Sequence, residues 1–377
     1  MRCCHVITSL MTGGAETTLA RLVPVVADEP GQCSVVSLTA GGVPGDRLRA
    51  QGVPVFELHM KPPFPSLTGL ARLRSLLGEL NPDLIQGWMY HGNLAASVAK
   101  TTAGLATPII WNIRHSLYDL SAEKPTTRAV IRLSALLSKS AASIVYNSEV
   151  GASHHEAIGF APVRSVVIRN GFDGDRFKPD EAVAWQLRSR LGLGAETVLV
   201  GMIARYHPMK GHENLLQAAA RIRRTADHVH FVVAGRGVSW SNSELADAVN
   251  DRSLADGVHL LGELHDPAPV MAGLDVLCCP SSRGEGLANV VGEAMACGVP
   301  CVVTDIGDTP WLLGDAGRVV PPSDPAELAG ALMELVSAGS DERRRLGEMA
   351  RERVLDRLPL SAAAGQYREL YDEVLRN

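Results

Sequence analysis

The sequence predicts an α/β protein of two doubly wound, parallel-sheet domains. Three observations predict it. The chain has 377 residues, more than one ordinary core accommodates, so two domains of roughly 150 to 190 residues are expected. Short apolar runs alternate with helical stretches from end to end, the cadence of a parallel sheet covered on both faces. That cadence restarts once, after a stretch at 169–194 rich in Gly, Pro and Asp.

In the first series, strands are expected at 3–10, 33–38, 53–58, 84–86, 109–112, 143–146 and 165–168, with helices at 16–27, 65–80, 92–103 and 127–140. The opening residues are too short and too polar a run for a signal peptide, and read as a first buried strand. In the second series, strands are expected at 197–203, 230–234, 258–260, 276–279, 300–304 and 317–320, and helices at 214–225, 243–249, 287–297 and 325–338. The division is residues 1–170 and 195–359, joined by a hinge linker at 171–194. No run of 18 apolar residues exists, so no transmembrane helix is expected.

Apolar residues make up 46% and charged residues 20% of the chain, as in a soluble globular protein. The seven cysteines include the adjacent pairs Cys3-Cys4 and Cys278-Cys279 inside apolar runs, and no C-x-x-C occurs. Buried reduced thiols in a cytoplasmic protein are expected, with neither a disulfide framework nor a zinc site. The net charge of −5 hides an asymmetry: residues 1–178 carry 17 Lys+Arg against 13 Asp+Glu, and the remainder 19 against 28. A basic first half suits an anionic partner such as a phospholipid surface or a lipid diphosphate. No basic stripe with interleaved aromatics points to nucleic acid.

In a doubly wound sheet, ligands bind beyond the carboxyl ends of the strands. The informative motifs sit there. Gly13-Gly14 follows the first strand and opens a helix, where backbone amides and the helix dipole favour a phosphate. The alternative is a tight turn that needs positive φ. Arg205 and Lys210 flank the loop after the first strand of the second series. A guanidinium fork and an ammonium five residues apart can converge on one diphosphate. Glu285 lies in a Gly-flanked turn. Glu293 lies in a helical pattern, because Leu287, Val290, Val291, Ala294 and Met295 recur at helical spacing. Their eight-residue separation is about 12 Å of helix rise, the span from a donor sugar to a ribose with a diphosphate between. Glu293 suits ribose hydroxyls and Glu285 the hydroxyls of the sugar.

Together these segments resemble the retaining glycosyltransferases of family 4, which have the GT-B fold of two Rossmann-like domains facing a cleft. The E-x7-E motif matches Glu285 and Glu293, Arg-x4-Lys-Gly matches Arg205, Lys210 and Gly211, and Gly-Gly-x-Glu matches Gly13, Gly14 and Glu16. Asn-Gly-x-Asp matches Asn170, Gly171 and Asp173, and Asn-Ser matches Asn147-Ser148. The resemblance covers essentially the whole chain. It implies an acceptor-binding first domain, completed by a last helix at 360–377 that crosses back to it, and a nucleotide-sugar-binding second domain. Arg205 and Lys210 would hold the diphosphate with help from the Gly14 amide, and Glu285, with His115, would serve the reacting sugar. Gly13, Gly14, Gly235, Leu261, Leu287, Ala288, Asn289 and Glu293 would complete the donor site. His91, Arg114 and Asn170 would lie on the acceptor side. No metal or other cofactor is implied.

One segment departs from the family. Many members carry Gly-Gly-x-x-Glu after the strand at 300–304, whereas this chain has Asp305-Ile306-Gly307-Asp308-Thr309-Pro310-Trp311. Donor-pocket detail inferred by analogy is weakest there.

The expectation is a cytoplasmic enzyme that moves a sugar from a nucleotide, UDP, onto a saccharide or polyprenyl-diphosphate-linked saccharide, with surface-polysaccharide or glycolipid assembly as the setting by family frequency. The rival readings are a nucleotide-sugar epimerase of related fold and a non-catalytic nucleotide-sugar-binding subunit. The helical stretch at 127–142 carries Arg128, Arg132 and Lys139 beside Val130, Ile131, Leu133, Leu136 and Leu137. It fits both a helix packed on its own sheet with a solvated basic face and one lying peripherally on the inner membrane.

Overall fold

The computed structural model describes residues 1–27, 29, 31–61 and 66–376. They form two compact units. One is Met1–Gly171 with Leu360–Asn377, and the other is Phe172–Pro359.

The first unit is a seven-stranded parallel sheet of β1 (Cys3–Ile7), β2 (Cys33–Ser37), β3 (Val55–Glu57), β4 (Leu84–Trp88), β5 (Ile109–Ile113), β6 (Ser143–Tyr146) and β7 (Ser165–Val167), in the order 3-2-1-4-5-6-7. The order reverses between β1 and β4, which pair in parallel with Ile7 opposite Trp88. β1, β4 and β5 are buried at every position, as strands covered on both faces must be. One face packs a core around Trp111, Tyr146, Leu73 and Ile131. The other packs Leu19, Val23 and Trp88 against Tyr367, Leu370 and Tyr371 of the helix Leu360–Arg376. The last helix therefore belongs to the first unit, against the helix Gly14–Val26.

The second unit is a six-stranded parallel sheet of β8 (Val198–Ile203), β9 (Val229–Ala234), β10 (Val258–Leu260), β11 (Val276–Cys279), β12 (Cys301–Thr304) and β13 (Gly317–Val320), in the order 10-9-8-11-12-13. Its reversal lies between β8 and β11. The chain enters and leaves this unit at one place, where Phe172 bridges Pro359 and its N–H donates to the Leu358 carbonyl at 2.9 Å.

All expected strands are present with ends shifted by three residues or fewer. The helix expected at 65–80 runs Leu67–Leu80, capped by Ser66 Oγ on the Gly69 amide at 3.2 Å, and Pro65 lies outside the described residues. The stretch 171–194, expected as a linker, contains a helix, Glu181–Arg190, capped by the Asp180 carboxylate and held to the second unit by buried Leu187. A 19-residue helix, Gly339–Arg357, was not expected at all. It buries only Leu346, Gly347, Ala350 and Val354, a stripe too thin to stand out from its charged surroundings. All seven cysteines are free and buried. Burial pushes the Cys4 thiol up to about 12 and that of Cys279 to about 11.

Candidate functional site

In the second unit, three strand-to-helix loops meet beyond the carboxyl ends of β8, β11 and β12. The loop after β8 carries Arg205 and Lys210. It ends at Gly211, whose φ of +76° is left-handed and where a Cβ would stand 2.0 Å from the Pro280 carbonyl oxygen. Only glycine fits there, so Gly211 sets how closely this loop approaches the one after β11. The two loops are also stitched by the Ser282 amide donating to the Met209 carbonyl at 2.8 Å.

That approach places the Lys210 ammonium against the Glu285 carboxylate in an ion pair. The same Glu285 oxygen accepts from Ser281 Oγ at 2.8 Å. Ser281 is buried, and its carbonyl accepts from Thr304 Oγ1 at 2.6 Å. Ser281 and Thr304 carried no sequence signal; their part follows from lying at the ends of neighbouring strands. Arg205 is exposed, with its guanidinium 3.8 Å from Met209 Sδ.

The divergent loop after β12 bears on the same place. Gly307 has φ +62°, and a Cβ there would lie 2.3 Å from the Glu285 carbonyl oxygen and 2.4 Å from that of Gly286. The Asp308 amide donates to the Gly286 carbonyl at 2.8 Å. Thus the segment that departs from the family clamps the backbone of the glutamate turn. Trp311 sits in the short helix Thr309–Leu313 and is partly exposed.

The helix after Glu285 is shorter than the pattern suggested. It spans Asn289–Ala296, and Leu287 and Ala288 are buried residues of the approach, with Ala288 extended at the N-cap. Glu285 therefore precedes the helix, while Glu293 lies within it and is buried. Gly235, with φ +143°, closes β9; a Cβ there would meet the Ala204 carbonyl oxygen at 2.1 Å. Its amide donates to the Gly262 carbonyl at 2.7 Å, and the Leu261 amide donates to the Val233 carbonyl at 2.9 Å. These contacts bring the loops bearing Gly235 and Leu261 beside the loop of Arg205.

In the first unit, Gly13 caps the helix Gly14–Val26 with φ −167°, an extended conformation. The tight turn with positive φ is absent; a Cβ at Gly13 would stand 2.4 Å from the Glu16 carboxylate, which would have to swing aside. Thr18 Oγ1 donates to the Gly14 carbonyl at 2.9 Å. His115 follows β5 and holds its Nε2 3.3 Å from Glu123 Oε1. His91 is half-buried in the first turn of the helix Met89–Ala103, and burial lowers its pKa. Arg114 and Asn170 contact each other: the Arg114 guanidinium donates to Asn170 Oδ1, to Asn112 Oδ1 at 3.1 Å and to the Tyr367 hydroxyl at 3.0 Å. Arg114 thereby ties β5 to the last helix.

The sequence profile described as Glycosyltransferase Family 4 matches residues 12–176, and that described as Glycosyl transferases group 1 matches 197–338. The chain belongs to the group 1, family 4 glycosyltransferases, with the GT-B fold. It is 33% identical over 217 residues to a D-inositol 3-phosphate glycosyltransferase of Geodermatophilus obscurus, covering 53% of this chain and 47% of that one. It is 28% identical over 194 residues to the N-acetyl-alpha-D-glucosaminyl L-malate synthase of Bacillus anthracis, covering 51% and 50%. The chain spans about half the length of the curated relatives it matches. Among solved structures, Anabaena HepE in complex with UDP-glucose superposes with TM-score 0.87 at 22% identity over 99% of this chain and 100% of that one. Sucrose-phosphate synthase from Thermosynechococcus elongatus gives 0.83 at 19% over 100% of each. Among the described residues, no helix is long and apolar enough to cross a membrane.

Proposed function

We propose that this chain is a retaining glycosyltransferase that takes a sugar from a UDP-sugar and passes it to a saccharide or polyprenyl-diphosphate-linked saccharide in the cytoplasm. The observation that carries the reading is the Lys210–Glu285 ion pair at the switch point of the second sheet, between β8 and β11. A cation and a carboxylate held side by side in strand-to-helix loops match the two needs of a sugar diphosphate: neutralisation of the phosphates and hydrogen bonds to sugar hydroxyls. The UDP and UDP-glucose complexes of the structurally similar HepE support uracil as the base.

In this reading Lys210 turns from Glu285 to the diphosphate when donor binds, joined by Arg205, and Glu285 turns to the sugar. The bond from the anomeric carbon to the diphosphate oxygen breaks with its electron pair going to that oxygen. The two cations stabilise the charge that develops there. An acceptor hydroxyl oxygen forms the new bond to the anomeric carbon on the same face, and its proton passes to the departing diphosphate oxygen. Glu293 holds the ribose. The phosphate charge is met by Arg205 and Lys210 without a metal.

A thermal-shift screen of nucleotide sugars tests the donor class, because a ligand that binds only the folded state raises the apparent melting temperature. UDP-sugars raise it in the wild type, and Lys210→Ala abolishes the shift. No shift with any uridine nucleotide at millimolar concentration overturns the donor assignment. An inverted anomeric product by NMR overturns retention.

A further inference from the structure

The helix Pro125–Leu137 carries an exposed apolar stripe opposite its buried face. Its buried face carries Ile131, Ser134 and Ala135. Its outward face carries Leu133, Leu136 and Leu137, with Leu136 80% exposed. Ala129, Arg132, Leu133, Leu136 and Leu137 are all exposed and follow the i, i+3, i+4, i+7, i+8 spacing of one stripe. Ile131 thus anchors the helix beside Ser134 and Ala135, while three leucines face outward.

A second element continues the stripe. Buried Ser138 accepts from the Ala161 amide at 2.9 Å, which seats the turn Pro162–Arg164 beside the end of the helix. Val163 on that turn is 88% exposed, and Arg164 reaches back to the Ala142 carbonyl at 3.4 Å. Lys124, Arg128, Arg132 and Lys139 flank the leucines, and no carboxylate occurs in the sequence between Glu123 and Glu149.

We infer that this face docks on an anionic lipid bilayer, with Leu133, Leu136, Leu137 and Val163 entering the acyl boundary and the cations meeting the headgroups. Leu136 and Val163 stand almost clear of the protein, which suits a soft apolar layer better than a preformed groove. A two-fold contact between copies would set each basic cluster against its like, which is repulsive. Apolar residues with flanking cations are the chemistry of a helix lying in a membrane interface, and the attraction of cations to anionic headgroups is screened by salt.

Flotation of the full chain with phosphatidylglycerol–phosphatidylcholine vesicles, against phosphatidylcholine alone, tests this without donor or acceptor, so its outcome is separate from that of the transfer reaction. Binding is expected to anionic vesicles only, and to weaken steeply between 50 and 500 mM salt, roughly as a Debye length falling from about 14 to 4 Å implies. Leu136→Glu should lower partitioning at least tenfold, and Arg132→Ala with Lys139→Ala roughly fivefold per cation. All three positions are exposed, and unchanged circular dichroism and melting temperature show that the variants fold. Equal binding to neutral vesicles, no binding at 50 mM salt, or wild-type partitioning by Leu136→Glu overturns the inference. So does a dimer by light scattering that Leu136→Glu dissociates in a chain that binds no vesicles.

Discussion

Lys210 and Glu285, 75 residues apart in the chain, form an ion pair that joins the loop after β8 to the loop after β11. Each side chain is largely shielded, at 23% and 13% exposure. The two groups to which the proposed mechanism gives separate tasks on the donor hold each other. This keeps both in place with their polar needs met.

Their separate tasks can be measured. Lys210→Ala should cut turnover by about two orders of magnitude, the usual cost of about 3 to 4 kcal/mol for removing one electrostatic donor. Glu285→Ala should also lower turnover, but leave the affinity for free UDP within a few-fold of wild type. Glu293→Ala should weaken UDP binding with little dependence on the sugar. Calorimetric titration with UDP and with the UDP-sugar separates the two. Equal loss of UDP affinity in both glutamate variants would refute the division.

Gly307→Ala should damage turnover more than nucleotide affinity. The new Cβ meets the carbonyl oxygens of Glu285 and Gly286 at 2.3 and 2.4 Å, in a backbone conformation that disfavours a side chain. The glutamate turn must move, whereas Glu293, on the helix, is not touched. Turnover should fall at least tenfold, by the sensitivity of catalysis to displacements of about 1 Å. Wild-type kinetics would show that the clamp has no part in the reaction.

Tyr367→Phe should destabilise the first unit. The Tyr367 hydroxyl accepts from Asn112 Nδ2 at 2.7 Å and from the Arg114 guanidinium at 3.0 Å. Its removal leaves two buried donors short of a partner, at about 1 to 3 kcal/mol. Urea unfolding reads this as a lower midpoint with an unchanged slope. Donor affinity should stay near wild type, since Tyr367 lies outside the donor-binding set.

Acid should destabilise both units through buried histidines. His155 accepts from the Tyr90 hydroxyl at Nε2 (2.7 Å) and donates from Nδ1 to the Gly151 carbonyl (2.6 Å). Burial lowers its pKa to about 4, and burial does the same for His212. Each binds its proton more readily when unfolded, near 6.5. The folded state is therefore favoured fully above about 6.5 and loses stability as pH falls toward 4, by as much as about 3 kcal/mol per histidine. His155→Gln should flatten that decline in urea titrations run from pH 7 to 4. An unchanged slope would mean that His155 titrates normally in the fold.

The strands of both sheets could be read from alternation because buried parallel strands are short apolar runs bounded by polar turns. The helix Gly339–Arg357 could not, because four buried residues in nineteen leave no periodic signal. The helix Glu181–Arg190 hid in a segment whose Gly, Pro and Asp read as a linker, although Asp180 is its cap. Local composition reports turns faithfully but does not say that a short helix lies between them.

At the site, the residue types and their order along the chain were legible: Arg205, Lys210, Glu285 and Glu293 stand in motifs whose spacing is local. Which of them touch was not. The Lys210–Glu285 pair, the Ser281 hydroxyl behind it and the Gly307 clamp join residues from three strands, and their meeting depends on the order 10-9-8-11-12-13 in which those strands lie in the sheet. Arg114 makes the same point: nothing beside it in the chain announces that the fold directs its guanidinium to Asn112, Asn170 and Tyr367. Periodicity and spacing act over a few residues and are written in the chain. The contacts that hold a carboxylate or a guanidinium act across the sheet, and they exist only once the strands have been placed side by side.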